Sequence, residues 1–353
     1  MTVATIRPRW PALDGLRAIA VLLVIGYHAI DIIPNGFIGV DIFFVLSGFL
    51  ITSLLLREAD ETHGIRLLDF YRRRVQRLYP ALLVVCIAVA LLAVALQRHV
   101  SAVVSGAGAS IFYFANIWEY SGHNTYLLQH TWTLALEEQF YLVWPLGLIL
   151  VLRNRRWLIL LIAVWIGIEI ADGLAGNPAL HTYVRAAGLP LGCLLAWAAR
   201  SERVRALARI LCVPALAVII VIACVPVNLN AWLDGWPVSA SALLAMPVVL
   251  ALTSPSVATS ALSARWLQWI GKRSYGLYLW HFPVLSIAIN NLPAKVPVPV
   301  ALIGAVILTF VISALSYRFI EQPILRWRPR HQGPTKLLPT AATVDAAEES
   351  TSS

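Results

Sequence analysis

The chain has 353 residues, is 59% hydrophobic and only 13% charged, with a mean hydropathy of +0.76, whereas a soluble domain carries about 25% charged residues. That composition excludes a soluble globular protein and predicts an all-α fold, a polytopic membrane helix bundle embedded in a lipid bilayer. A net charge of +9 would point to nucleic acid in a soluble chain; here Lys and Arg sit in short loops beside apolar runs, so the charge reads as membrane orientation and no nucleic-acid partner is expected.

Arg7 and Arg9 precede an apolar segment too long and too charged for a cleavable signal, and no small-residue cleavage site follows, so the first span is expected to be retained. Residues 13–56 then hold two apolar runs of membrane-spanning length, joined by the turn-forming Pro34, Asn35 and Gly36. Asp14, Arg17, His28, Asp31 and Asp41 lie inside this stretch. An ionisable side chain in hydrocarbon costs roughly 3 kcal/mol, so it persists mainly where it faces a polar interior and has a task. Arg17 and His28 are eleven residues apart, about three helical turns, which puts them on one face about 16 Å apart along the axis. Asp14 and Asp31 fall within about 60° of that face. Asp14 and Arg17 also fit an interfacial role where the helix leaves the headgroups, and Asp41 fits a helix cap. His28 lies well inside the apolar run, where a histidine needs hydrogen-bond partners.

A polar, basic stretch, 57–80, follows and contains FYRRRVQRLYP. Arg73 and Arg77 are spaced i, i+4, and Arg74 and Arg77 i, i+3, so these side chains share a helix face and can converge on one anion. Guanidinium forks suit phosphate, and several together suit a polyphosphate. The same run, with Arg72, also reads as a juxtamembrane basic patch that orients the protein and touches anionic lipid.

Further apolar runs lie near 81–97, 101–118, 134–152, 157–172, 180–199, 207–227, 236–253, 274–291 and 297–320. Charge bias arbitrates the count. If 101–118 does not cross, the basic loops from Arg7/Arg9 to Arg318–Arg330 all fall on one side, with Arg98, Arg185 and Lys295 on the other. About ten spans with both termini cytoplasmic are therefore expected, and 101–118 is expected to be re-entrant or packed inside the bundle. The expected organisation is a cytoplasmic N-terminus (1–10), a transmembrane domain (11–325) and a disordered cytoplasmic tail (326–353). Cys86, Cys193, Cys212 and Cys224 lie in apolar runs without metal-type spacing, so they are expected to pack and no metal site is expected.

In HTWTLALEEQFYLVWP, Glu137 and Glu138 lie just inside an apolar run, with Tyr141 one turn beyond Glu137; adjacent carboxylates point to different faces, so one of them, Glu137 by preference, looks into the bundle. In KRSYGLYLWHFP, Ser274, Tyr278 and His281 line one face, although His281 also fits a satisfied core histidine. Trp280 reads as an interfacial belt residue, and Tyr317 and Glu321 close the last span. There is no phosphate-binding loop, dinucleotide fingerprint, nucleophile elbow or zincin helix. Buried histidines, buried acids and an arginine cluster fit an enzyme or a proton-coupled carrier.

Five motifs in order decide between them by resemblance. Arg17 and His28 with ten residues between, FFVLSGFLIT after GVD, RRVQRLYP, WTLALEEQFY and SYGLYLWH resemble the acyltransferase 3 family of integral membrane acyltransferases over about residues 10–325. Family members usually read Trp-Ser-Leu where this chain has Trp132, Thr133 and Leu134, which keeps a hydroxyl. The resemblance implies an enzyme of the cell membrane, bacterial and cytoplasmic, that moves an acyl group, commonly acetyl, from cytoplasmic acyl-CoA as donor substrate to a hydroxyl of a glycan or lipid-linked sugar acceptor. It carries over to Arg17 and His28, to Ser47, Gly48 and Phe49, and to Arg74 and Arg77. Some members carry a fused extracytoplasmic domain; this chain resembles the stand-alone form, so a second step would need a separate extracytoplasmic transfer partner.

On that footing Arg17, Arg73, Arg74 and Arg77 would bind the CoA phosphates, and Ser47, Gly48, Phe49, Tyr278 and His281 would line the substrate path. Catalysis would fall to His28, Asp41 and Glu137, with His28 as general base oriented by Asp31 or Asp41. A covalent acyl-histidine is the alternative route. Gly48 would allow close approach of backbone or ligand. The competing class is a transporter that uses His28, Asp41, Glu137 and His281 as a proton relay.

Overall fold

The computed structural model describes residues 10–29, 32–154, 186–225, 237–291 and 296–326, with isolated positions between 156 and 164. Arg7, Arg9, Asp31, Arg185, Lys295, most of the run at 157–172 and nearly all of the tail lie outside the described residues. Within them the protein is helical, without a strand.

Helix α1 (Pro11–His28) starts with proline in its first turn, where no backbone N–H is needed. The expected turn at 34–36 follows. It is anchored rather than free, because Asn35 Nδ2 donates to the carbonyls of Ile222 (3.0 Å) and Val225 (2.9 Å). Helices α2 (Gly39–Thr62) and α3 (Leu67–Leu96) come next. The polar, basic stretch 57–80 is divided between them, and the arginines expected to share a helix face ride on the first turns of α3, which continues through Pro80.

The run at 101–118 does not form one helix. It breaks into α4 (Val100–Ile111) and α5 (Ala115–Tyr120) around Tyr113, whose φ is 55°. At 1.5 Å per residue, the 12 residues of α4 cover about 18 Å, short of a bilayer core. A 3-10 turn (Tyr126–Thr131) leads into α6 (Trp132–Arg153). Beyond it come α7 (Gly188–Ala198), α8 (Glu202–Cys224), α9 (Pro237–Ala251), the short α10 (Val257–Leu262) and α11 (Arg265–Lys272), α12 (Ser274–Asn290) and α13 (Val298–Ser316). A π-helical turn (Tyr317–Glu321) and α14 (Gln322–Arg326) close the described chain.

Among the described residues six helices are long and apolar enough to cross a membrane. Their burial separates centre from rim: 72% of the apolar window in Gly36–Thr62 is buried, against 22% in Val298–Arg326. Helix α2 is thus a core element, while α13 shows lipid a face of Ile303, Ile307 and Val311. Small residues set the closest crossings. A β-carbon on Gly48 would overlap the Leu189 carbonyl where α2 meets α7, and one on Gly271 would overlap the Asp14 carbonyl where α11 meets α1. Without hydrophobic driving force between helices in lipid, such backbone approach is what holds a bundle together.

Candidate active site

The chemistry-bearing side chains fall into two clusters, with a narrow cavity beside Arg17. At the end of the bundle where α1 begins, Arg74 lies over the ring of Tyr141, 3.5 Å from its centroid. Its Nε and Nη2 are buried without a hydrogen-bond partner, as is Nε of Arg17. Arg77, exposed at its surface, feels the charges of Arg17 and Arg74 directly, offset by Asp14. Unpartnered N–H groups on Arg17 and Arg74 with the charge of Arg77 beside them suit an anion, and Glu137 and Glu138 offset part of that positive charge at Arg74.

Arg73 is not part of it. Its Nη2 lies 3.7 Å from Glu58 Oε2, and its side chain is 40% exposed.

From the arginines a small cavity of about 60 Å³ runs inward, lined by Arg17, Thr133, Glu137, Ser274, Tyr275 and Tyr278 among others. Glu137 is held from two sides, for Ser47 Oγ and the Tyr141 hydroxyl both donate to its Oε1. Glu138 points another way, and its Oε1 is buried without a partner. One turn before Glu137, Thr133 bonds the Tyr278 hydroxyl, which also donates to the His130 carbonyl at 3.0 Å.

Tyr278, one of the residues lining this cavity, packs its ring 5.4 Å from His130 and 5.3 Å from His281, and with His28 these form a cluster of three histidines that do not themselves line the cavity. His28 Nδ1 bonds the Val24 carbonyl at 2.9 Å, and His281 Nδ1 bonds the Tyr278 carbonyl at 2.6 Å. A carbonyl only accepts, so both rings carry their proton on Nδ1 and their basic lone pair on Nε2. The two rings are 5.1 Å apart, and His130 packs 5.2 Å from His281 and stacks on Phe282 at 5.3 Å.

His130 was not singled out from the sequence. It precedes the apolar run, although it opens the same HTWTLALEE segment that supplies Glu137.

The remaining expected residues lie elsewhere. Asp41 is buried against α9 and takes a hydrogen bond from Ser241 Oγ. Gly48 serves the α2–α7 crossing, and Phe49 packs 6.0 Å from the ring of Trp10. Asp31 lies outside the described residues. A second cavity of about 420 Å³, between α3, α12 and α13, is lined by apolar side chains and Trp280 and holds no titratable group. Among the described residues no His, Cys, Asp or Glu cluster has the arrangement of a metal site.

Comparison with known proteins agrees in extent with this architecture. The acyltransferase domain family matches residues 10–318. The chain is 34% identical over 344 residues to the peptidoglycan O-acetyltransferase OatA of Listeria monocytogenes, covering 89% of this chain and 55% of that protein. It is 35% identical over 349 residues to the O-acetyltransferase OatA of Staphylococcus aureus, covering 90% and 57%. The chain spans about half the length of these curated relatives. No solved structure matches it.

Proposed function

This chain belongs to the acyltransferase domain family, and from that premise we propose that it is a membrane O-acyltransferase that carries an acetyl group from cytoplasmic acetyl-CoA to a hydroxyl of a cell-envelope glycan. The observation that carries this reading is the alignment of two unlike sites. Arg17 and Arg74 carry unpartnered N–H groups; a narrow passage is lined by both Arg17 and Tyr278; and Tyr278 packs on His281, whose ring lies 5.1 Å from that of His28.

In this reading Arg17, Arg74 and Arg77 hold the donor phosphates. The acyl-bearing arm extends along the face that α1 presents between Arg17 and His28. His28 Nε2 takes the proton of the acceptor hydroxyl as that oxygen attacks the thioester carbon. A transient acyl-histidine uses the same nitrogen as nucleophile and splits the transfer into two steps. Glu137, tied to Ser47 and Tyr141, orders the wall of the passage and sits a helical turn short of the residue that reaches Tyr278.

The acceptor class rests on the relatives, which are named for O-acetylation and, in the Listeria protein, for peptidoglycan. An extracytoplasmic protein that completes delivery to the glycan is the partner this reading proposes. Ten spans with both termini inside, in a bacterial cytoplasmic membrane, fit the charge bias of the loops.

The test is thiol release from acetyl-CoA by purified protein in nanodiscs. Wild type is expected to bind acetyl-CoA and hydrolyse or transfer it slowly; His28→Ala binds but releases no CoA, and Arg74→Ala with Arg77→Ala loses binding. Absence of CoA binding in wild type would overturn the reading in favour of a carrier.

A further inference from the structure

His130 has no part in the transfer chemistry above, yet it is the least accommodated polar side chain of the cluster. It is 4% exposed, and neither Nδ1 nor Nε2 has a hydrogen-bond partner. The Leu279 backbone lies close enough to act on the ring but makes no hydrogen bond of normal geometry with it. A buried polar group left unpaired is costly, so such a group in a native site calls for a ligand or an ordered water.

The three rings are not equivalent. His28 and His281 have given their Nδ1–H to the carbonyls of Val24 and Tyr278. An uncharged imidazole carries one N–H. His130 is therefore the ring of the three whose N–H is still available. Its plane is held by stacking on Phe282, with a 29° interplanar angle, and by the edge of His281 at 76°. A donor fixed in direction before the reaction is what stabilises a developing negative charge most effectively.

We infer that His130 donates this N–H to the carbonyl oxygen of the acyl group in transit, as the oxyanion-binding residue of the site. The inference rests on the acyltransferase reading. The acceptor oxygen forms its bond to the thioester carbon, and its proton passes to His28 Nε2. The carbonyl π pair moves onto oxygen, where His130 holds it. On collapse the C–S bond breaks, and the leaving sulfur takes the proton from His28. An ester and a free thiol result, with no oxidant or reductant needed.

The full chain in nanodiscs is assayed with acetyl-CoA as His130→Phe, which keeps an aromatic ring against Phe282 but has no donor, and as His130→Asn, which keeps an N–H. The expected result for the Phe variant is a kcat lower by about 10²–10³, the usual cost of one oxyanion donor, with KM for acetyl-CoA within about threefold; the Asn variant recovers part of the loss. Infrared spectra of carbonyl-¹³C acetyl-CoA bound to His28→Ala protein supply a second readout that leaves His130 in place. There the carbonyl band is expected below its position for the same thioester in a solvent without hydrogen-bond donors.

A kcat for His130→Phe near wild type, or an unshifted carbonyl band, overturns the assignment of His130 and leaves the acyltransferase reading standing. If wild type neither binds nor consumes acetyl-CoA, both fall together. Should the Phe variant fail to fold, the infrared band decides.

Discussion

The guanidinium carbon of Arg74 stands 3.5 Å from the centroid of the Tyr141 ring. A cation over an aromatic face away from water gains about 2 kcal/mol, and the contact fixes the plane in which Arg74 offers its free N–H groups. Tyr141→Leu is therefore expected to weaken CoA binding by about 30-fold, by the usual conversion of 1.4 kcal/mol per decade. Tyr141→Phe, which keeps the ring, should stay within about threefold. Isothermal titration with CoA separates the two.

Arg73 and Arg77 should behave differently despite sharing a helix face. Arg73→Ala removes only a half-exposed pairing with Glu58, and such surface pairs are worth about 0–1 kcal/mol, so CoA affinity should change by less than about fivefold. Arg77→Ala removes the cation beside Arg17 and Arg74, where a hydrogen bond to a charged group is worth about 1.5–3 kcal/mol, and should cost at least about tenfold. Equal losses would place Arg73 in the site.

Gly48→Ala should fail by folding and not by chemistry. Its β-carbon would overlap the Leu189 carbonyl and crowd Cys193 N, both of them backbone atoms that cannot step aside. Overpacking of this kind costs about 1–3 kcal/mol or more. Gly64→Ala, with nothing within 4 Å of the added carbon, is the control. A melting temperature for Gly48→Ala equal to that of the control would remove the glycine from the helix crossing.

Glu119 predicts a pH dependence outside the spans. Burial pushes its carboxyl up to about 7, partly offset by the hydrogen bond from Thr125. The folded state therefore holds a proton that the unfolded chain, titrating near 4.5, has released. Stability is fully present below about 4.5 and falls as pH rises towards about 7, then levels off. Glu119→Gln should flatten that slope and raise the melting temperature at pH 8. A parallel decline in wild type and variant would show that another group is responsible.

Residue type in hydrocarbon was enough to find much of the site. Arg17, His28, Tyr278 and His281 stood out because a polar side chain inside an apolar run needs a reason, and Gly48 could be read as a point of close approach. Helical spacing went less far. It grouped Arg73 with Arg77, but which side of α3 turns inward is decided by what packs on it, and Glu58 on α2 draws Arg73 aside. The Ser47–Glu137 bond joins residues ninety positions apart, a distance that no local pattern spans. His130 sits on a 3-10 turn ahead of the apolar run, so neither periodicity nor hydropathy marks it as buried.

The passage behind Arg17 has a consequence beyond the transfer itself. At about 60 Å³ it has room for only a handful of waters. A membrane potential does about 2.3 kcal/mol of work per 100 mV on each elementary charge that crosses, and a continuous wet column through the bundle would discharge it. Filled this tightly, the protein can carry polar groups from one end of α1 to the other and still insulate the gradient that the membrane maintains.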